Sequence, residues 1–99
     1  MTDRELLEDA AKAAGLKPPL PMHGPGLTWG HGWWNPLTDD GDAFRLAVKL
    51  KIELYFESLY VVGRGTADDH EVTFYNGHPY AATRRAIVRA AAEIGRSMK

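Results

Sequence analysis

The chain has ninety-nine residues, 44% hydrophobic and 25% charged, enough for one folded domain with a modest core and unlike the composition of a disordered chain. Its formal charge of −1 argues against a protein whose main task is coating nucleic acid, which needs a clear basic excess. The absence of cysteine removes disulfides, thiolate catalysis and Cys-based zinc sites.

The opening Thr2-Asp3-Arg4-Glu5 is charged, and no apolar run exceeds a few residues. Neither a secretory signal nor a membrane span is expected, so the reading is a soluble protein of the cytoplasm. The first predicted element is a helix from Asp3 to Ala14. Thr2 and Glu5 stand at capping-box spacing, and Leu6, Leu7, Ala10, Ala11 and Ala14 share one side. Gly15 follows where a left-handed cap is wanted, with Leu16 placed to fold back on the last turn.

Residues 17–38 form a Pro/Gly/Trp-rich loop holding five of the six prolines. Prolines fix backbone angles and remove donors, so a stretch this long is expected to hide a short strand around Leu27 to Trp29 or around Trp33, to be a functional loop, or both. A second helix is predicted from Asp39 to Leu50, with Thr38 as N-cap and Asp39, Asp40 and Asp42 at the positive end of the dipole. Ala43, Leu46, Ala47 and Leu50 form its apolar stripe, widened by Phe44 and Val48.

The period then switches to two. Ile52, Leu54 and Phe56 alternate with Lys51, Glu53 and Tyr55; Leu59 to Val62 and Glu71 to Tyr75 supply two further strands. Short connections imply an antiparallel meander. Asn76-Gly77 ends the sheet, and Pro79 opens a last helix running to Arg96, with Ala82, Ala86, Ile87, Ala90, Ala91 and Ile94 inward. The expected fold is α+β: a three-stranded antiparallel meander, with room for a short fourth strand from the loop, packed by three helices in the order α-loop-α-β-β-β-α. The expected inner sheet face is Ile52, Leu54, Phe56, Val61, Val72 and Phe74, and the opposite face is Tyr55, Tyr60, Val62 and Tyr75.

Three segments carry a resemblance: Trp33-Trp34-Asn35-Pro36-Leu37-Thr38-Asp39-Asp40-Gly41-Asp42, the closing helix from Tyr80 to Ala91, and the opening Asp3-Arg4-Glu5-Leu6-Leu7. They resemble small uncharacterised phage and prophage proteins of the "phage ABA sandwich" type. That resemblance implies helices on both faces of a small sheet and a phage setting. It implies no reaction and no site residues.

Two surfaces are candidates for binding. Arg85, Arg89, Arg96 and Lys99 fall within about an 80° sector of the last helix, with Arg84 to one side. The stripe suits phosphates or an acidic surface, and pairing with Asp3, Glu5, Glu8 and Asp9 of the first helix is the structural alternative. Trp29, Trp33 and Trp34 suit aromatic anchoring, unless they cover the second sheet face.

Chemistry is poorly represented. His23, His31, His70 and His78 lack metal-ligand spacing, and Asp68-Asp69-His70 reads as a polar loop. Asp39-Asp40-Gly41-Asp42 fails as a calcium loop because Phe44 occupies the fifth ligand position. Gly24-Pro25-Gly26 and Gly63-Arg64-Gly65 lack the rest of a phosphate cradle. No metal and no cofactor is expected. The leading expectation is therefore a non-enzymatic accessory protein that binds a host or phage macromolecule, a protein before a nucleic acid, through Trp29, Trp33, Trp34, Arg85, Arg89 and Arg96. The alternative is a nucleic-acid-binding regulator using Arg84, Arg85 and Arg89, and a weaker third is a small hydrolase acting through carboxylates and His31. Free strand edges leave dimerisation open.

Overall fold

The computed structural model describes residues 2–16, 27–29, 32–65 and 70–98, and only the backbone at 27–29 and 32–33. Helix α1 (Asp3–Ala13) starts on the capping box its sequence encodes. Thr2 Oγ1 accepts the Glu5 N–H and Glu5 Oε1 accepts the Thr2 N–H, each at 3.1 Å. It ends at Gly15, whose φ of 75° lets the Leu16 N–H return to the Ala11 carbonyl at 2.9 Å. Leu16 thereby packs on the core.

Strands β1 (Leu27–Trp29) and β2 (Gly32–Trp34) pair antiparallel, Leu27 opposite Trp34. The short strand expected in the loop is present, but as one half of a separate ribbon and not as a fourth strand of the sheet. Helix α2 (Asp40–Leu50) begins one residue later than expected. Asp39, not Thr38, is the N-cap, its carboxylate accepting the Asp42 N–H at 2.8 Å. Thr38 is instead held in the preceding turn, its N–H on the Asn35 carbonyl.

Strands β3 (Glu53–Phe56), β4 (Tyr60–Arg64) and β5 (His70–Phe74) form the expected meander in the order β3-β4-β5. Opposed residues share a face, so the pairs Leu54–Gly63, Phe56–Val61, Val61–Thr73 and Gly63–Glu71 define the inner one. This corrects the expected faces: Glu71 and Thr73 point inward, while Val72 and Phe74 stand outside with Tyr60 and Val62. Tyr75, expected outside, packs against Val61, Ala82 and Ala86. The physical reason is a polar anchor. Arg89 reaches β5 from the last helix, with Nη2 at 2.9 Å from Glu71 Oε2 and Nη1 at 3.2 Å from Thr73 Oγ1.

Helix α3 (Pro79–Ser97) is the middle layer, which is why it is buried over so much of its circumference. Ala82 and Ala86 meet Val61 on the sheet side, while Val88, Ala91 and Ala92 join the core shared with Leu6, Leu7, Ala10, Ala43 and Leu46. Small residues allow backbones to close in on both sides. A Cβ on Gly63 would lie 2.8 Å from the Ala86 carbonyl, and one on Gly95 would collide with the Asp9 carbonyl. The described helices thus gather on the inner side of the sheet, and the two-sided cover implied by the resemblance is not formed by them. Among the described residues, no helix is long and apolar enough to cross a membrane.

Candidate docking surfaces

The arginines of α3 do not form a free stripe. Arg85 Nη1 lies 3.1 Å from Asp3 Oδ1, and Arg96 meets both Asp9 of α1, at 3.6 Å, and Glu93. Arg89 is taken by Glu71 and also donates to the Val72 carbonyl at 2.9 Å. Arg84 donates from Nε to the Leu37 carbonyl at 2.9 Å and pairs through Nη1 with Asp40 at 2.6 Å. The interhelix pairing foreseen as the structural alternative is what Arg85 and Arg96 do. Each arginine proposed to grip phosphate has a carboxylate beside it.

Trp34 is half-buried and packs against the helical core, not over the outer sheet face. The side chains of Trp29 and Trp33 lie outside the described residues, as do His23, His31, Asp68, Asp69 and Lys99. The motif around Trp34 is a junction whose bonds close on one another. Asn35 Oδ1 accepts the Leu37 N–H at 3.0 Å, its carbonyl accepts the Asp39 N–H at 2.9 Å, and its own N–H donates to Asp42 Oδ2 at 3.0 Å. Asp42 Oδ1 in turn takes Arg45 at 2.8 Å. These residues set the start of α2, and that accounts for the acidic run without a metal. Among the described residues, no group of three or more metal-ligating side chains converges.

Two apolar surfaces stand open. The first is the outer sheet face, where Tyr55, Tyr60, Val62, Val72 and Phe74 form one apolar field. Tyr60 and Phe74 meet edge-to-face with ring centroids 5.7 Å apart. Phe74 is 58% exposed and Tyr55 47%. Among the described residues, its charge lies at one end, where Arg64 reaches Glu53 at 3.5 Å and His70 lies opposite Arg64. Hydrophobicity alone could not locate this face, because alternation in β5 fits either side and the register decides.

The second is an open groove of about 800 Å³ between α2, β3 and the first half of α3. Ala43 and Ile87 lie deep in it, and Phe44, Val48, Phe56 and Tyr80 stand at its rim. Its charged groups are the Asp40–Arg84 pair and Lys51. The sequence signal for this groove was the excess width of the α2 stripe, which Phe44 and Val48 carry beyond what the core covers. Away from these surfaces, Glu5 is held below its usual carboxyl range by the backbone N–H and hydroxyl of Thr2. No protein-family model, curated protein or solved structure matches this chain.

Proposed function

We propose that the chain is a non-enzymatic accessory protein of phage or prophage type, working in the cytoplasm, which holds a protein partner on the outer face of its sheet. The phage setting rests on the resemblance of the Trp33–Asp42, Tyr80–Ala91 and Asp3–Leu7 segments. The binding role rests on the inversion of β5, which turns Glu71 and Thr73 inward and Val72 and Phe74 outward. A one-sided antiparallel sheet ordinarily shows polar residues to water. An aromatic and β-branched field in their place matches the interior of a protein interface, which is rich in aromatics and poor in charge.

A protein is favoured over nucleic acid because Arg84, Arg85 and Arg89 already neutralise Asp40, Asp3 and Glu71. Gripping phosphate would require breaking those pairs, and among the described residues the arginine at the aromatic field, Arg64, is itself beside Glu53. The test is affinity capture from host lysate with the wild type and with a Val72→Thr/Phe74→Thr double variant, which keeps strand propensity. The expected result is saturable capture of a protein, weakened at least tenfold in the double variant. Equal capture by both would exclude the outer face. Capture of nucleic acid instead, with affinity falling steeply in salt, would put the regulator reading first.

A further inference from the structure

The two edges of the sheet are not equivalent. The Tyr75 N–H bonds to the Leu59 carbonyl, so by alternation the backbone groups of Val72 point away from β4. There Arg89 takes the Val72 carbonyl, placing a charged side chain on the β5 edge, one of the ways a strand edge is kept from pairing. On the other side, the Glu57 N–H bonds to the Tyr60 carbonyl at 2.8 Å, so the N–H and C=O groups of Leu54 and Phe56 point outward from β3. Among the described residues, no side chain takes them up. The same two residues line the apolar groove, whose rim residues Phe44, Phe56 and Tyr80 are 69%, 62% and 77% exposed.

We propose that β3 pairs antiparallel with β3 of a second copy of this chain, joining two three-stranded sheets into one of six strands and closing the groove of each copy with the other. Three features favour this occupant over an unrelated strand. First, the segment from Lys51 to Glu57 is apolar at Ile52, Leu54 and Phe56, and so offers the groove the side chains it needs on the correct face. Second, charge selects a register. With Leu54 facing its own copy, Ile52 comes opposite Phe56 with its N–H staying on the Ala47 carbonyl, and Lys51, the left-handed C-cap of α2 that precedes the strand, lies near Glu57, twice by symmetry. The neighbouring register that sets Leu54 against Phe56 places Glu53 opposite Glu57, a like-charge pair on one face. Third, the area is of the right order. Three aromatic rims, each mostly exposed, have roughly 400 Å² to lose per copy, about half of what a stable interface buries on each partner. Val48, Ile52, Leu54 and the strand backbone supply more.

This does not depend on the outer-face reading, although pairing would extend that face across both copies. The experiment is sedimentation equilibrium of the full chain up to about 100 μM, a concentration at which a dimer with a Kd near 10 μM assembles. The expected wild-type mass is twice the chain's 11.0 kDa. Phe56→Lys is expected to raise the dimer Kd at least tenfold. Lys51→Glu and Glu57→Lys should each raise it several-fold, and the Lys51→Glu/Glu57→Lys double variant should restore it to within about twofold. All are at exposed positions, and far-UV circular dichroism checks that each folds. A monomeric wild type overturns the proposal. So does a dimer indifferent to Phe56→Lys, or charge-swap effects that add instead of cancelling.

Discussion

Asn35 is the buried polar residue among those described, and its bonds explain its position. It turns the chain into α2 by satisfying the Leu37 and Asp39 N–H groups and resting its own N–H on Asp42. Asn35→Ala should cost about 1–3 kcal/mol, read as a lowered urea midpoint at unchanged m-value, because the Leu37 N–H loses its acceptor. Glu5 gives a prediction in pH. Its folded pKa lies below the 4.5 of an ordinary glutamate, so its contribution is complete above that value and fades as pH falls through the folded pKa. In Glu5→Gln, the part of the acid-side loss of stability arising below about pH 4.5 should therefore shrink, as followed by thermal melts across pH. Both caps stand out in the sequence as hydroxyl-x-x-carboxylate and acidic-run patterns. The choice of Asp39 over Thr38 was not legible, because it depends on Asn35 already holding Thr38 in the turn.

At the level of elements, α3 is the piece to which the others attach, and its small residues are the means. Gly95 faces the Asp9 carbonyl with no room for a methyl group. Gly95→Ala should push α1 away from α3 and cost about 1–3 kcal/mol in chemical denaturation, despite alanine's better helix propensity. An unchanged or raised midpoint would mean the helices sit farther apart than described. Order, type and approximate bounds of α1, α2, α3 and the three-stranded meander were legible from periodicity and capping residues. The facing of β5 was not. Its sequence alternates cleanly, but alternation leaves the side undetermined, and the decision comes from Arg89, seventeen residues beyond Val72, meeting Glu71 and Thr73.

For the whole molecule, the arrangement is sheet, then α3, then α1 and α2, with an apolar outer face and a groove beside β3. The Val72→Thr/Phe74→Thr variant should lose about 1–2 kcal/mol in chemical denaturation, because the Tyr60–Phe74 ring contact and the Val62–Val72 pair go with it, and far-UV circular dichroism at the capture temperature checks that it stays folded. The sequence reading placed its candidate sites on the arginines and tryptophans, residue types common in interfaces. Among the described ones, the arginines pair with carboxylates of α1, α2, β5 and α3, and Trp34 is half-buried against the helical core. Phe56, Val72 and Phe74, which the alternating pattern assigns to the core, are instead exposed.

The docking of α1 against α3 also orders events in time. The first helix meets its α3 partner only after Gly95 has been made, so a chain growing from the ribosome carries Leu6, Leu7, Ala10 and Ala11 without the α3 part of their core while the intervening residues are synthesised. Its meander, by contrast, is built from strands adjacent in sequence and has its pairing partners at hand as soon as Phe74 emerges.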